Sequence, residues 1–355
     1  MKVAIIGAGP AGLASLRHCL EEGFDCIAFE QTGNIGGIWY YTDNTDVDDD
    51  GAIVHTPMYQ GLSTNLPKEL MEFEDFPYKP SDNYYIQQPE VLQYIQAFAK
   101  HFHLLPHIKF FHQIMKVDPL PEQKWRVQVI DIKTKYISED VYDGIIVSCG
   151  QSGNPFYPRI PGMDDFRGRS IHSRSYRKPE SYVNKKVLVI GAGPSGLDIS
   201  KFVNSVAEKV YLSVDEQKDT NAPAEVILKP KANRIKSHSV VFEDGTEEEI
   251  DDIIYCTGYR PSYPFLSKEC NISVEDGCVK PLYKHIINIE HPTMAIINIA
   301  SVLCPFPLYS LEVRFFFAFL TKKIQVSKED MYDDLNRNMK EHVEKDLPFH
   351  PHDWY

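Results

Sequence analysis

Two stretches of the sequence share a glycine spacing that can hold a phosphate group. VAIIGAGPAG fills positions 3–12 and VLVIGAGPSG fills positions 187–196, with seven of the ten letters identical. Each is an apolar run that ends in G-x-G-x-x-G and leads into helix-like spacing, which predicts a strand, a tight turn and a helix. In such a turn the first glycine permits the bend, the second lets the backbone approach a pyrophosphate, and the third lets helix and strand pack closely. The candidate glycines are Gly7, Gly9 and Gly12 in the first copy and Gly191, Gly193 and Gly196 in the second.

The helix after each turn would offer unpaired N–H groups and the positive end of its dipole to the phosphates. A single G-x-G-x-x-G is weak evidence, because unrelated glycine turns also produce it. Two copies in the same strand-turn-helix context favour two dinucleotide sites. We expect a bound flavin in one site and a nicotinamide nucleotide that reduces it in the other.

An acidic residue follows the second predicted strand of the first copy. That strand reads as Cys26–Phe29, and Glu30 lies 18 residues beyond Gly12. A dinucleotide-binding unit places at about this distance the acid that accepts hydrogen bonds from the adenosine ribose. Glu30 is therefore the predicted ribose ligand.

The second copy has no acid at the corresponding position. Ungapped alignment places Val214 opposite Glu30, and a neutral residue there fits a 2′-phosphate better than a free 2′-hydroxyl. Ser213 can donate to such a phosphate and Lys218 can supply positive charge, although Asp215 between them would repel it. The sequence thus favours NADP over NAD.

The order of these patterns predicts an α/β protein with two Rossmann-like dinucleotide-binding domains. A connection rich in Pro and Gly, residues 150–162, precedes the second copy. After a predicted return strand at residues 249–256 the chain is expected to rejoin the first domain, so the NADP domain is expected as an insertion in the FAD domain. The predicted domains are 1–160 for the first part of the FAD domain, 161–250 for the NADP domain, and 251–355 for the second part and C-terminal helices. A helix is also predicted from Pro89, with one face formed by Leu92, Ile95, Ala99 and Phe102.

Between the two copies lies the spacing F-x-G-x-x-x-H-x-x-x-Y, which runs from Phe166 through Gly168 and His172 to Tyr176. Here the sequence resembles the flavin-containing monooxygenases, whose identifying motif has this spacing and ends in Phe or Tyr. The related Baeyer–Villiger monooxygenases usually end it in Trp. The resemblance extends to about Tyr332 and includes further stretches, namely GGIW at 36–39, LSTNLPKE at 62–69, DFP at 75–77 and CTGY at 256–259. TNLPKELM is most similar to insect-type members, some of which N-oxygenate plant pyrrolizidine alkaloids.

This resemblance implies an NADPH- and O2-dependent enzyme that oxygenates a soft nitrogen or sulfur nucleophile, such as a tertiary amine or alkaloid. In the family NADPH reduces FAD, oxidised NADP stays bound, and oxygen forms a C4a-hydroperoxyflavin that the substrate attacks. The implied FAD contacts are Gly7, Ala8, Gly9, Pro10, Ala11, Gly12, Glu30, Gly37, Ile38, Trp39, Asn65 and Leu66. The expected NADP contacts are Thr64, Asn65, Gly191, Gly193, Ser195, Gly196, Leu197, Asp198, Ser213 and Lys218. His172 is expected in a structural or cofactor-contacting role, and Thr257 and Gly258 close to a cofactor.

Asn65 is the predicted catalytic residue. Taken alone, an asparagine before Leu-Pro is more often a turn residue, and the resemblance reverses that preference. An uncharged amide can donate a hydrogen bond to the peroxide or the nicotinamide without bringing an acid that would hasten peroxide loss.

Other activities remain as alternatives at this point. A Baeyer–Villiger monooxygenase would convert ketones to esters, and a flavin reductase or oxidase would consume NADPH without an oxygenated product. A nucleotide-sensing scaffold would bind FAD without turnover. A thiol-disulfide reductase is disfavoured, because the seven cysteines are scattered and none are spaced C-x-x-C.

Composition limits the partners. The net charge of −13, from 37 basic and 50 acidic side chains, argues against a nucleic-acid surface. The longest apolar stretch, Ser301–Leu320, is interrupted by two prolines and two charged residues, so no membrane span is expected. No metal site is predicted, a homo-oligomer is left open, and the expected location is cytoplasmic, or secreted if a signal peptide was removed.

Overall fold

The computed structural model describes residues 1–214, 222–299 and 305–344. This part of the chain divides into two compact units. The first contains the described residues of 1–56, 61–153 and 261–355, and the second contains those of 57–60 and 154–260. Most of the second unit is therefore one insertion in the chain of the first.

The strands of the described residues, in chain order, are Lys2–Ile6 (β1), Asp25–Phe29 (β2), Ile108–Lys109 (β3), His112–Leu120 (β4), Lys124–Asp131 (β5), Ile137–Tyr142 (β6), Gly144–Val147 (β7), Arg169–His172 (β8), Lys186–Ile190 (β9), Lys209–Ser213 (β10), Ile227–Lys229 (β11), Ala232–Ile235 (β12), Ser239–Phe242 (β13), Glu247–Glu249 (β14), Asp252–Tyr255 (β15), Ser273–Glu275 (β16), Cys278–Lys280 (β17), Leu282–Tyr283 (β18), Ile287–Asn288 (β19) and Met294–Ile296 (β20). The α-helices are Pro10–Glu21 (α1), Gln88–His101 (α2), Pro194–Asn204 (α3), Pro305–Leu320 (α4) and Lys328–Glu344 (α5).

The first unit is built on a seven-stranded sheet with the order β18-β19-β20-β7-β1-β2-β3. The five strands from β20 to β3 run parallel, and β18 and β19 are antiparallel additions at one edge. Because a parallel sheet is covered on both faces, its central strands are continuous apolar runs. The parallel register aligns Ile6 with Phe29 and with Val147, so the residues after β1, β2 and β7 meet at one edge of the sheet.

Helices α1, α2 and α4 contribute to the main core of this unit, where Leu13, Ile95 and Phe316 are fully buried. Helix α4 packs against α1, and its many aromatic side chains fill this core. No helix in the described ranges is long and apolar enough to cross a membrane. A separate antiparallel sheet, β4-β5-β6, covers a second cluster around the buried Trp125.

The second unit contains a parallel sheet with the order β11-β10-β9-β15-β8 and an antiparallel sheet β12-β13-β14. Strand β15 lies between β9 and β8, so the unit continues to Arg260 and the predicted boundaries at 160 and 250 lie inside it. Its two chain ends are paired: Phe156 N–H donates to the Gly258 carbonyl, and Arg260 N–H donates to the Asn154 carbonyl, both at 2.9 Å. Entry and exit at one place are what an inserted domain requires.

Candidate functional site

The first glycine turn follows β1 in the first unit. Gly7 has φ +101°, and a Cβ there would lie 2.8 Å from the Ser148 carbonyl oxygen. A Cβ on Gly12 would lie only 2.0 Å from the Gly7 carbonyl oxygen. Both positions therefore require glycine for the fold itself, as the motif predicts.

The second glycine turn has the same geometry in the second unit. Gly191 has φ +102°, and a Cβ there would lie 2.5 Å from the Cys256 carbonyl oxygen. A Cβ on Gly196 would lie 1.8 Å from the Gly191 carbonyl oxygen. The turn therefore lies against the carboxyl end of β15, next to Thr257 and Gly258, which were predicted to lie close to a cofactor.

The middle glycine of each turn is different, because the protein alone does not require it. Gly9 and Gly193 are in the extended region, with φ −73° and −68°. A Cβ on Gly9 would make only ordinary contact, at 3.5 Å from Gly37 Cα. A Cβ on Gly193 would meet no atom of the described residues within 4 Å. The fold thus tolerates a Cβ at both positions, and the open space beside Gly193 fits the close approach of a ligand.

Both helices start immediately after these glycines, with Pro10 and Pro194 in the first turn. Because the cap residue is glycine, no cap side chain satisfies the first N–H groups, and they remain available to an anion. Ala8 and Ala11 are buried beside the first turn. Ser195 and Leu197 are half-buried on the first turns of α3.

Glu30 is buried at the carboxyl end of β2. One carboxylate oxygen accepts from Ala8 N–H at 2.9 Å, and the other accepts from the N–H and the hydroxyl of Thr32, both at 2.9 Å. Burial raises the pKa of Glu30, and these hydrogen bonds oppose the shift. The donors hold the acid next to the glycine turn, where a ribose ligand is expected.

The backbone supports the alignment of Glu30 with Val214. Glu30 N–H donates to the Lys109 carbonyl at 2.9 Å, and Val214 N–H donates to the Lys229 carbonyl at 3.0 Å. The two residues thus occupy equivalent positions between the second and third parallel strands of their sheets. The side chains differ, because Val214 is an apolar, buried residue.

Ser213 is already hydrogen-bonded within the second unit. Its hydroxyl donates to the Pro230 carbonyl at 3.1 Å and accepts from Ala232 N–H at 3.0 Å. A phosphate contact by this hydroxyl would require its bond to Pro230 to break. Lys218 and Asp215 lie outside the described residues.

The GGIW stretch packs against the first turn. A Cβ on Gly37 would lie 3.0 Å from Gly9 Cα, so the two backbones approach closely. The Ile38 carbonyl accepts from the Thr56 hydroxyl at 2.5 Å, and the Trp39 carbonyl accepts from the Gln88 amide. These bonds fix the predicted cofactor residues 37–39 beside the glycine turn.

Residues 62–68, which carry the predicted catalytic Asn65, are held against residues 84–88. Gln88 N–H donates to the Leu62 carbonyl at 3.0 Å, so Gln88 links this segment to Trp39. Thr64 is buried: its N–H donates to the Ile86 carbonyl at 2.8 Å and its hydroxyl accepts from Ile86 N–H at 3.1 Å. The Asn65 side chain is exposed, and its carboxamide has no hydrogen-bond partner in the described part of the chain. Leu66 packs at the margin of the main core.

Lys68 is a positioning element that sequence reasoning missed, although it lies inside the quoted LSTNLPKE stretch. Its side chain is 3% exposed. The ammonium donates to the Asn83 carbonyl at 2.8 Å, the Ser81 carbonyl at 3.1 Å and the Ser81 hydroxyl. Three donors on three oxygens match an ammonium group, so Lys68 anchors the segment that follows Asn65.

Glu312 is a second feature that no motif indicated. This α4 side chain is 1% exposed, and one carboxyl oxygen accepts from Asn298 N–H at 2.9 Å. Its other oxygen has no hydrogen-bond partner within the described residues. Burial raises the pKa of Glu312 to about 8. The Gln151 amide donates to the carbonyl of Ile299, the residue after Asn298, at 3.0 Å. The side chains of Glu312 and Gln151 therefore both hold the turn after β20.

The motif around His172 has a structural explanation within the second unit. A Cβ on Gly168 would lie 2.0 Å from the Asp251 carbonyl oxygen and 2.6 Å from the Phe166 ring. His172 ends β8, its Nδ1 accepts from Arg174 N–H at 3.1 Å, and its Nε2 donates to the Gly258 carbonyl at 3.0 Å. Burial lowers the pKa of His172 to about 4, so the ring is neutral at pH 7. His172 thus fastens the Gly258 loop to β8.

Thr257 and Gly258 lie where the chain leaves the second sheet. The Thr257 hydroxyl donates to the Phe156 carbonyl at 2.5 Å. Gly258 has φ +77°, and no described atom lies within 4 Å of a Cβ built there. The hydrogen bonds thus bring Thr257, Gly258 and His172 together.

Comparisons with known proteins agree with this geometry. The family model described as flavin-binding monooxygenase-like matches residues 1–221 and 215–349. Flavin-containing monooxygenase FMO GS-OX-like 4 of Arabidopsis thaliana is 34% identical over 93% of this chain and 78% of its own length. Senecionine N-oxygenase of Tyria jacobaeae is 33% identical over 84% of this chain and 67% of its own length.

A solved structure is also similar over nearly the whole chain. The S-allyl-L-cysteine S-oxygenase of Allium sativum superposes with a TM-score of 0.90 and 32% sequence identity. The match covers 99% of this chain and 84% of that protein. The predicted resemblance and the predicted α/β architecture with two Rossmann-type domains are confirmed. The chain belongs to the flavin-binding monooxygenase-like family.

Proposed function

We propose that this chain is an FAD- and NADPH-dependent monooxygenase that transfers one atom of O2 to a soft nitrogen or sulfur nucleophile. The observation that carries the proposal is the pair of glycine turns, each with a middle glycine that the fold itself does not require. Within the described residues, a buried carboxylate, Glu30, follows the second strand of the first turn and the neutral Val214 takes its place after the second turn, so the two sites are suited to different nucleotides.

FAD is assigned to the first unit, since membership of the family implies a flavin cofactor. The residues fit a dinucleotide: Gly9 leaves room for the pyrophosphate, α1 presents its N-terminus, and Glu30 can accept from the ribose hydroxyls. Its three present donors, on Ala8 and Thr32, keep the carboxylate oriented. Residues 37–39 would form the next wall of this site.

NADPH is assigned to the second unit. Gly193 and the first turn of α3 would bind the pyrophosphate, and the neutral Val214 would leave room for a 2′-phosphate. Thr257 and Gly258, fastened by His172, would line the same site. The positive charge proposed for the 2′-phosphate comes from Lys218.

A bound flavin, once reduced by the nicotinamide, activates O2 and supplies an electrophilic oxygen atom to the substrate. The overall balance is substrate, NADPH, H⁺ and O2 giving oxygenated substrate, NADP⁺ and water. Asn65 is the proposed catalytic residue: its exposed carboxamide would donate a hydrogen bond to the reacting oxygen without donating a proton. Lys68 and Thr64 would keep this amide in place. Preorganised donors of this kind contribute on the order of 3 kcal/mol.

The substrate class follows from two relatives. One is named for N-oxygenation of senecionine and the other for S-oxygenation of S-allyl-L-cysteine. Both activities place oxygen on a heteroatom lone pair. We therefore propose a tertiary amine, an alkaloid or a thioether as the substrate.

The test is to purify the protein with FAD, reduce it with NADPH, and mix it with oxygen while the flavin absorbance is followed. Tertiary amines, alkaloids, sulfides and ketones are then added in separate reactions, and the products are identified by mass spectrometry. An N- or S-oxide formed with one NADPH per product supports the proposal. Esters from ketones would assign a Baeyer–Villiger activity, and rapid NADPH oxidation without product would assign a reductase or oxidase.

A matched pair of variants tests the role of Asn65. Asn65→Asp keeps the size of the side chain and adds a charge, whereas Asn65→Ala removes the donor. Both should retain flavin and lower product formation by about 100-fold, in line with the loss of one preorganised donor. Product formation at the wild-type rate in both variants would exclude Asn65 from catalysis.

A further inference from the structure

Residues 57–60 belong to the second compact unit, although the sequence on both sides belongs to the first. Tyr59 is buried in this segment, with 5% exposure, as is the neighbouring Met58. Its ring makes edge contacts with Tyr176 and Phe202, at centroid distances of 5.5 and 6.0 Å. Gln60 N–H donates to the Arg177 carbonyl at 2.8 Å. The segment is therefore held firmly inside the unit that carries the second glycine turn.

The Tyr59 hydroxyl donates to Oδ2 of Asp198 at 2.5 Å. Asp198 is the fifth residue of α3, so its Cα lies about 6 Å along the axis from the helix start. Side chains on a helix tilt toward its N-terminus. The carboxylate of Asp198 is thus a negative charge close to the turn on which a pyrophosphate would bind.

Such a charge would affect a phosphate ligand in two ways. It repels the phosphates directly, and a freely rotating carboxylate competes with them for the unpaired N–H groups at the helix start. A hydrogen bond from a neutral phenol restrains the carboxylate and disperses part of its charge. Burial and the neighbouring Asp198 both raise the pKa of Tyr59, so its hydroxyl stays a donor.

We propose that Tyr59 is a positioning residue for the nicotinamide nucleotide, acting by restraining the Asp198 carboxylate so that it does not compete with the phosphates for the N–H groups at the start of α3. In this proposal Asp198, which the family resemblance implies as an NADP contact, hinders binding of the phosphates instead of supporting it. This inference rests on the proposed function, because it assumes that the second unit binds that nucleotide. It adds a residue that lies outside every motif of the second unit.

The test measures the dissociation constant of NADP⁺ for the FAD-loaded protein by calorimetry. Tyr59→Phe keeps the ring contacts and removes only the hydroxyl, and it should weaken NADP⁺ binding by about tenfold, the effect of one hydrogen bond to a charged group. Its FAD content should equal that of the wild type. Tyr157→Phe is the matched control, since Tyr157 is in the same unit, 45% exposed, and packs on His172 through its ring.

A double-mutant cycle separates the proposed role from simple packing. In the Asp198→Asn background the charge is absent, so Tyr59→Phe should change NADP⁺ affinity by less than about twofold. An equal tenfold loss in both backgrounds would mean that Tyr59 acts through packing, and would overturn the proposal. Unchanged affinity in Tyr59→Phe alone would also overturn it.

The controls distinguish this inference from the function on which it rests. If the wild-type protein binds no NADP⁺ or NADPH, the proposed function fails at that first measurement and the inference fails with it. If Tyr59→Phe does not fold, the NADP⁺ affinity of Asp198→Ala is measured instead. An affinity at or above the wild-type value supports the proposal, and a tenfold loss of affinity overturns it.

Discussion

The substitution Gly193→Ala tests the proposed nucleotide site of the second unit with little disturbance of the protein. Gly193 lies in the extended region, which alanine also adopts, and a Cβ there would meet no atom of the described residues within 4 Å. Alanine restricts the unfolded chain and so stabilises such positions by about 0.4–1 kcal/mol, but it is a poorer helix N-cap than glycine. Because these two effects offset each other, we expect the variant to unfold at a temperature close to that of the wild type.

The effect on ligand binding should be opposite. If a pyrophosphate approaches the Gly193 backbone, the added methyl group occupies its space and overpacks the complex by about 1–3 kcal/mol. This range corresponds to roughly 5- to 150-fold weaker binding. Gly9→Ala provides the matched experiment in the first unit, where the methyl group would make only ordinary contact with Gly37.

The assay combines thermal unfolding with calorimetric titration of FAD and of NADP⁺. Gly193→Ala should weaken NADP⁺ binding and leave FAD binding unchanged, and Gly9→Ala should do the reverse. Wild-type NADP⁺ affinity in a well-folded Gly193→Ala protein would refute the assignment of the pyrophosphate to this turn. Loss of both ligands in either variant would show that the two sites are not independent.

Three further predictions concern buried polar groups. Lys68→Met should lower the amount of product formed per NADPH consumed at least tenfold while FAD binding persists, and Lys68→Arg should restore part of this yield. A wild-type product yield in Lys68→Met would contradict a role of Lys68 in positioning Asn65. The pKa of Glu312 is raised to about 8, so the stability that its neutral form provides is lost as pH rises from about 4.5 to 8. The free energy of unfolding of Glu312→Gln, measured in urea, should therefore exceed that of the wild type by a difference that grows over this pH range to roughly 4 kcal/mol. The pKa of His172 is lowered to about 4, so the stability that its neutral ring provides is present above pH 6.5 and is lost as pH falls toward 4. Between these pH values the free energy of unfolding of His172→Gln should fall by about 3 kcal/mol less than that of the wild type. If the urea midpoints of the two proteins fall by the same amount from pH 7 to pH 4.5, the prediction is wrong.

The glycine turns were predictable because their requirements are local. A positive φ at Gly7 or Gly191, and the absence of space for a Cβ at Gly12 or Gly196, follow from the strand-turn-helix geometry that the spacing encodes. The alignment of Val214 with Glu30 could be made for the same reason.

Helix faces were harder to predict. Helix α2 begins at Gln88, near the predicted Pro89, and Ile95 and Ala99 are buried as expected. Leu92 and Phe102 lie at the margin, whereas Val91 and Phe98 are fully buried. Periodicity fixes the helix but leaves its rotation open by about one residue, and the rotation depends on which partners it packs against.

Contacts between residues distant in sequence could not be read from spacing. The hydrogen bond from Tyr59 to Asp198 joins residues 139 positions apart. The Lys68 ammonium donates to carbonyl groups of a loop that carries no recognisable motif. Glu312 was considered only as an interruption of an apolar stretch, yet it is one of the most buried acids in the described chain. Such groups are defined by the tertiary fold, and only the structure identifies them.

The two turns are equivalent in backbone and differ in the side chain that follows the second strand, as the proposed function expects of sites for two different nucleotides. Gly7 N–H donates to the Phe29 carbonyl at 2.8 Å, and Gly191 N–H donates to the Ser213 carbonyl at 3.0 Å, so the residue after each second strand is fixed in the same place. A carboxylate at that place selects a ribose with free hydroxyls, and a valine does not. Exchange of the two side chains, Glu30→Val with Val214→Glu, should therefore reduce the affinity of each site for its own nucleotide while both turns keep their fold.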